Sequence, residues 1–341
     1  MEVNITMIGG PGTGKTCYLY AMADQMIFGL NGFSFQAADY NVACDLQDEW
    51  TMMTEEGKWP SPTAENNEIE FRCCYGTREL ATFNWFDYRG GLCTVGRLDM
   101  SNPEVTEFID MMDRSTCLLI LISAEDIKGV LNRNTASERL FKRYMALLDL
   151  YSKKHKPVPI AFTITKGDLL EEGEFERGVE LLKDKYFSKF FINDSESGGW
   201  LITFVVVGLG AEKLGKTEDG MIQGTISPFN VHLPVLFAIR CSYTKQIETI
   251  KQEKSRLSRE RDGYVREYET VSKRSALSRW WHGDDLDEVT AELEDARNRV
   301  RKTEENFNKY YANLLKLTNE LMESNTAIVY CNGEKMELDG V

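Results

Sequence analysis

The sequence predicts an α/β fold: a mostly parallel sheet with helices on both faces and one antiparallel strand, followed by a C-terminal antiparallel coiled-coil hairpin. Three observations carry this. Apolar runs of strand length alternate with helical patterns from residue 3 to residue 207, two of those runs are only four residues apart, and residues 233–321 keep a three-four apolar spacing. Alternating strands and helices build parallel sheets with helices on both faces. A four-residue connection is too short for a parallel crossover and forces an antiparallel hairpin. Three-four spacing is the seam of a coiled coil.

The elements follow in chain order. Residues 3–8 enter a glycine run without any preceding basic region, so they read as a first strand and not as a signal peptide. A helical pattern occupies 16–28. Strands at 68–75 and 80–86 flank the short connection from Gly76 to Glu79 and form the antiparallel hairpin. Helical patterns at 105–112, 138–152 and 175–187 then alternate with apolar strands at 117–123, 158–165 and 201–207. After a glycine-rich loop, two heptad series run from Leu233 to Val271 and from Leu286 to Leu321, interrupted by the polar residues Arg240, Lys254, Arg261 and Thr303. Each helix would span roughly 60 Å. The loop 273–287 between them has fifteen residues, which reach about 50 Å when extended; a parallel return is therefore out of reach. Residues 327–338 alternate around Asn332-Gly333, the preferred type I′ turn, and predict a terminal β-hairpin. The expected division is a first domain at 1–243, a helical arm at 244–325 and a hairpin tail at 326–341.

Composition sets the function classes. The chain has 341 residues, 42% hydrophobic and 28% charged, which is globular usage and excludes wholesale disorder. No apolar run is long enough for a membrane span, and neither terminus carries a lipidation motif. The net charge of −14 opposes direct nucleic-acid binding through a general basic surface. That charge is uneven: the arm carries a net −1 and the remainder −13. Eight scattered cysteines without a CxxC pair, beside three histidines, point away from zinc and toward a reduced, cytoplasmic setting.

The sharpest motif is Gly9-Gly10-Pro11-Gly12-Thr13-Gly14-Lys15-Thr16, which fits GxxxxGK[ST] between a strand and a helix. Here Gly9, Gly12, Thr13, Gly14 and the following Cys17 would bring backbone N–H groups to the phosphates, at a helix N-terminus that favours negative charge. Lys15 would bridge β- and γ-phosphate oxygens, and the Thr16 hydroxyl would sit on Mg²⁺. The second motif, Asp87-Tyr88-Arg89-Gly90, is a DxxG at a strand end; Asp87 would hold Mg²⁺ through water and the Gly90 amide the γ-phosphate. The third is Thr165-Lys166-Gly167-Asp168. A carboxylate at 168 would accept from both N–H groups of a guanine edge, donors that adenine lacks. Lys166 would lie along the base, and Gly208 and Leu209 would offer an amide to the guanine oxygen.

Together and in this order, the three motifs resemble the Ras-like (translation-factor-related, TRAFAC) P-loop GTPases, across about Met1 to Tyr243. That resemblance implies a three-layer P-loop GTPase sandwich whose antiparallel second strand separates it from most P-loop ATPases. The combination with Trp59-Pro60-Ser61-Pro62-Thr63 and Asp87-Tyr88-Arg89-Gly90-Gly91 is most similar to prokaryotic double-GTPase-type domains of bacterial conflict and antiphage defence systems. It also implies a switch threonine, for which Thr63 fits, completing the Mg²⁺ ligands Thr16, Thr63 and Asp87. The chain departs from the pattern at Gly91, where many members carry a water-orienting glutamine. The expected activity is therefore slow GTP hydrolysis, with Lys15, Thr63, Arg89 and Gly90 as the catalytic set and Arg89 supplying charge to the γ-phosphate. The expected role is a nucleotide switch signalling through the arm to a protein partner or a second copy, with Trp280 and Trp281 at the arm's tip as the contact. The alternative is a non-hydrolysing, nucleotide-stabilised scaffold in which the coiled coil drives assembly.

Overall fold

The structure, a computed structural model, describes residues 1–61, 67–87, 101, 103–152, 157–192, 199–282, 286–324 and 327–336. Strand β1 (Glu2–Ile8) leads into helix α1 (Lys15–Ile27), and β2 (Phe33–Ala37) into α2 (Tyr40–Thr54). The hairpin β3 (Asn67–Tyr75) and β4 (Arg78–Asp87) precedes α3 (Pro103–Arg114), β5 (Cys117–Ser123), α4 (Ala124–Leu131) and α5 (Thr135–Ser152). Then come β6 (Ile160–Thr165), α6 (Glu174–Leu181) and β7 (Leu201–Val206). Four short strands follow: β8 (Gly208–Gly210), β9 (Gly215–Lys216), β10 (Ile222–Gln223) and β11 (Ile226–Phe229). Helices α7 (Leu233–Ser272), α8 (Ala276–His282) and α9 (Leu286–Glu323) lead to β12 (Ala327–Cys331) and β13 (Glu334–Lys335).

One nine-stranded sheet runs in the order β13-β12-β7-β6-β5-β1-β4-β3-β2. Strands β4, β1, β5, β6 and β7 are mutually parallel. The expectation of a single antiparallel strand is corrected: β3 opposes both β2 and β4, and β12 opposes both β7 and β13. The physical reason lies at the terminal hairpin. Asn332 and Gly333 both have positive φ, as a type I′ turn needs. The hairpin does not stand alone; β12 covers the open edge of β7 with half-buried and buried side chains.

The centre of the sheet is dry on both faces. Every residue of β5 and β6 is buried, as expected for strands covered by helices on each side. Ile8, Leu118, Ile120, Ile122, Phe162 and Phe204 form one core with Phe108 of α3, Ile127 of α4, Phe141 of α5 and Val179 of α6. On the opposite face, Tyr18 of α1 meets Trp85 of β4 at 5.8 Å between rings.

The chain divides into two compact units, 1–241 with 317–341, and 242–316. This differs from the division expected from heptads. Residues 233–241 are buried on all sides, so the first turns of α7 belong to the core of the first unit. The last turns of α9 do too: Glu320 accepts from Asn31 and pairs with His232 there. Within 242–316 the helices are antiparallel. Tyr243 meets Tyr310, Lys254 meets Glu304 and Glu260 meets Arg299, so numbers rise on α7 as they fall on α9. The segment expected as the loop 273–287 contains a helix, α8, with Leu277 and Trp280 exposed one turn apart. No helix among the described residues is long and apolar enough to cross a membrane.

Candidate functional site

The parallel register brings the carboxyl ends of four strands together. Met7 of β1 lies beside Asp87 of β4, Ile8 beside Ile120 of β5, and Ser123 of β5 beside Thr165 of β6. Ligand sites in open α/β sheets form at this edge. Here the loop from Gly9 to Gly14 leaves β1, and α1 begins.

Backbone conformation shapes that loop. Gly12 and Gly14 have φ of 76° and 81°, a region that L side chains avoid. Gly9 is required for a different reason: a Cβ there would lie 2.7 Å from the Thr13 hydroxyl oxygen. The loop is then pinned from behind. The Gly10 amide donates to Tyr144 Oη at 2.9 Å, and that hydroxyl donates to Leu121 O at 3.2 Å. The Thr13 hydroxyl donates to Gly10 O, and the Thr165 hydroxyl donates to Thr13 O at 2.6 Å. Thr165 therefore ties the loop after β1 to the end of β6.

Lys15 is buried and donates to Gly9 O at 2.8 Å and Gly10 O at 3.3 Å. Its ammonium thus lies across the concave side of its own loop. Helix α1 begins at Gly14 with no side-chain cap and no acidic residue in its first turn. A helix N-terminus without a side-chain cap, next to a buried cation, makes a site complementary to an anion.

A cavity of about 1500 Å³ opens over this loop. Its walls include Gly12, Gly14, Lys15, Thr16 and Cys17 from the α1 side, and Thr165, Lys166, Asp168, Gly208 and Leu209 from the β6 and β7 ends. Two of the three sequence motifs thus face one space. Gly9 and Thr13 stand behind the loop and shape it. Burial lifts the Cys17 thiol to about 11, so it is a packing group rather than a nucleophile.

At the far end, Lys166 adopts a left-handed conformation (φ 55°) and its ammonium reaches Glu125 Oε2 at 2.6 Å. The hydrogen bond from Lys166 is the main cause that lowers the Glu125 carboxyl from its ordinary value. Asp168 is half-buried, and its Oδ2 accepts the Leu214 amide at 3.2 Å. Gly167 sits where a Cβ would collide with Val206, Val207 O and Phe229, so the turn carrying Asp168 is held tightly against the end of β7.

Asp87 is placed by its backbone, at the end of β4 beside Met7. Thr63, Arg89, Gly90 and Gly91 lie outside the described residues. Several residues at the site carried no motif. Glu125, Lys128, Lys213, Leu214 and Lys216 line the cavity from α4 and the β8–β11 segment, Tyr144 of α5 holds the Gly10 amide, and only tertiary structure brings them here. Trp59 also lines the cavity; its place in a Trp-Pro-Ser-Pro-Thr run was the one sequence signal.

Neither protein-family profiles nor curated proteins give a match to the sequence.

Proposed function

We propose that this cavity binds GTP with Mg²⁺, and that the protein is a slow GTP hydrolase acting as a nucleotide-dependent switch of the Ras-like P-loop class. The observation that carries the reading is the convergence of Lys15, the uncapped start of α1 and Asp168 on one cavity. The anion-directed end and the carboxylate end stand on consecutive parts of one sheet edge, as a nucleotide's phosphates and base require.

The residues present fit a hard cation of Mg²⁺ type. Thr16 lines the cavity, and Asp87 ends the neighbouring strand; one hydroxyl and one carboxylate would leave the remaining positions to water and phosphate oxygens. The bound ion would neutralise charge on the phosphates. Lys15 would hold the β- and γ-phosphate oxygens in exchange for its present carbonyl partners, and Thr63 would complete the set on nucleotide binding. Arg89 would supply positive charge to the γ-phosphate. Gly91 offers no side chain to orient water, which sets the expected turnover low.

Asp168 would select guanine through its two donors. Because one of its oxygens already has the Leu214 amide, the penalty beside adenine falls mainly on the other. The nucleotide state would be passed to a protein partner or a second copy through the helical hairpin and the Trp280–Trp281 segment, in a cytoplasmic setting of antiphage defence.

Identifying the nucleotide released from the purified, denatured protein tests the reading directly: GDP or GTP is expected, and ATP or ADP at full occupancy would overturn it. The glycine at 91 also favours the scaffold reading, and single-turnover hydrolysis with Mg²⁺ separates the two. A protein that holds GTP uncleaved over many hours is the scaffold.

A further inference from the structure

Between β7 and α7 the chain folds into a two-step ribbon that the motif residues do not account for. Strand β8 pairs with β11, and beyond them β9 pairs with β10. The ribbon touches the site three times. The Leu214 amide holds Asp168 Oδ2. The Ile222 amide donates to Gly57 O at 2.6 Å. The Lys216 ammonium stands 5.6 Å above the centre of the Trp59 ring. Lys216 and Trp59 both line the cavity, and Lys216 is near enough to Cys17, which follows Thr16 on α1, to oppose the burial of its thiol.

The indole N–H of Trp59 is itself buried and meets no acceptor among the described residues. A buried donor without an acceptor is unfavourable. An ammonium and an N–H donor on one cavity wall, beside the residue that follows the phosphate loop, together present two donors and one positive charge. Their complement is an anionic oxygen.

We propose that Lys216 and Trp59 form a second phosphate-directed contact of the site, beside the one that Lys15 provides. The inference rests on the nucleotide-binding reading above. Trp59 acts as a platform as well as a donor: its ring face orients the Lys216 ammonium by a cation–π contact, and its N–H reaches the same anion. The contact is indifferent to the base, since an ammonium and an N–H donor that hold phosphate oxygens meet a group common to guanine and adenine nucleotides. It therefore adds affinity for the phosphates without adding preference between guanine and adenine.

The test is equilibrium binding of fluorescent GDP and GTP, with GTP and ATP as competitors, to the full-length protein and to Lys216→Gln, Lys216→Arg, Trp59→Leu and the Lys216→Gln/Trp59→Leu double variant. Lys216→Gln is expected to weaken GDP and GTP about tenfold and to leave the GTP-to-ATP ratio unchanged. Lys216→Arg should restore most of the loss, because charge and reach are kept. The double variant should lose little beyond the larger single loss, since the two groups act as a unit. The Lys216→Gln loss should shrink at high salt. Unchanged affinity in Lys216→Gln, a changed base preference, or losses that multiply in the double variant would overturn the inference. Far-UV dichroism and melting of each variant exclude unfolding as the cause. A parent protein that binds neither nucleotide would overturn the functional reading and this inference together, whereas a binding parent with an indifferent Lys216→Gln overturns the inference alone.

Discussion

Strands β5 and β6 show no exposed residue, whereas the unit 242–316 buries one apolar stripe: Tyr243, Ile247, Leu257 and Val271 on one helix, Val289, Leu293, Ala296, Val300 and Leu314 on the other. The first region is covered from two sides, so every side chain contributes to a core. The second is covered along one stripe, and its surface carries ion pairs such as Lys254–Glu304 and Arg299–Glu260. Burial on both faces fixes positions tightly, and the candidate site hangs from the ends of those strands. The helical pair gains its order from length and from a repeated spacing. The lesson is that precision in this molecule is concentrated where the sheet is driest.

Large-to-small substitution should break the comparison most visibly. Phe162 is fully buried, stacked on Phe204 at 4.9 Å and packed on Phe187 at 4.7 Å. Phe162→Ala should cost about 3–5 kcal/mol, and Leu293→Ala in the helical stripe about 2 kcal/mol, because a two-helix seam can close over the gap. Urea unfolding of both variants checks this. Equal losses would mean that the seam is as rigid as the sheet.

Lys15→Ala comes next. Its buried ammonium donates to the Gly9 and Gly10 carbonyls of the loop, so truncation should leave the sheet intact and remove phosphate binding. The expected loss is about 3 kcal/mol, roughly a hundredfold or more in Kd. Titration of fluorescent GDP measures it, and retained affinity would move the anion site elsewhere.

Asp168→Ala should act chiefly on selectivity. Removing the carboxylate is expected to reduce the GTP-over-ATP preference about tenfold, near 1.4 kcal/mol. The Leu214 amide would lose its acceptor at the same time, so part of any drop in overall affinity would reflect the ribbon. Asp168→Asn keeps that acceptor and separates the two effects. A parent without preference would remove Asp168 from base recognition.

How far the sequence reveals each region follows the same contrast. The central strands are continuous apolar runs and the loop 9–16 is a fixed-spacing motif, so both are legible locally. The long helices are legible because a heptad repeats for 40 and 38 residues. By contrast β2, with buried Phe33 and Phe35 between half-exposed positions, is only five residues long, and α2 shows a weak apolar stripe of Leu46, Trp50 and Met53. Neither carries enough pattern to stand out. β12 reads correctly as half of a hairpin, but nothing local says that its other edge meets β7. The ribbon β8–β11 is built from strands of two to four residues, so its contacts with Asp168 and Trp59 exist only in three dimensions. Tyr144 is the plainest case: its helix was legible, but its bond to the Gly10 amide joins positions 134 residues apart.

The smallest expected effect lies in the surface charges of the helical pair. Glu304 meets Lys254 at 2.8 Å with both side chains well exposed. The hydrogen bond from Lys254 holds the Glu304 carboxyl below its ordinary value. A carboxyl lowered in the folded state stabilises only above its unfolded range, and that contribution fades as pH falls through the folded value. Solvent and salt screen it at this exposure. Glu304→Ala should therefore unfold at the same urea concentration as the parent at neutral pH, and the two proteins should remain matched in acid, where the parent's carboxylate protonates. A clear shift of the midpoint at neutral pH, which vanished in acid, would show that the charged surface orders the helical pair. The contrast between a region held by its core and a region held by one apolar stripe would then need a third contribution, from the ion pairs that flank the stripe.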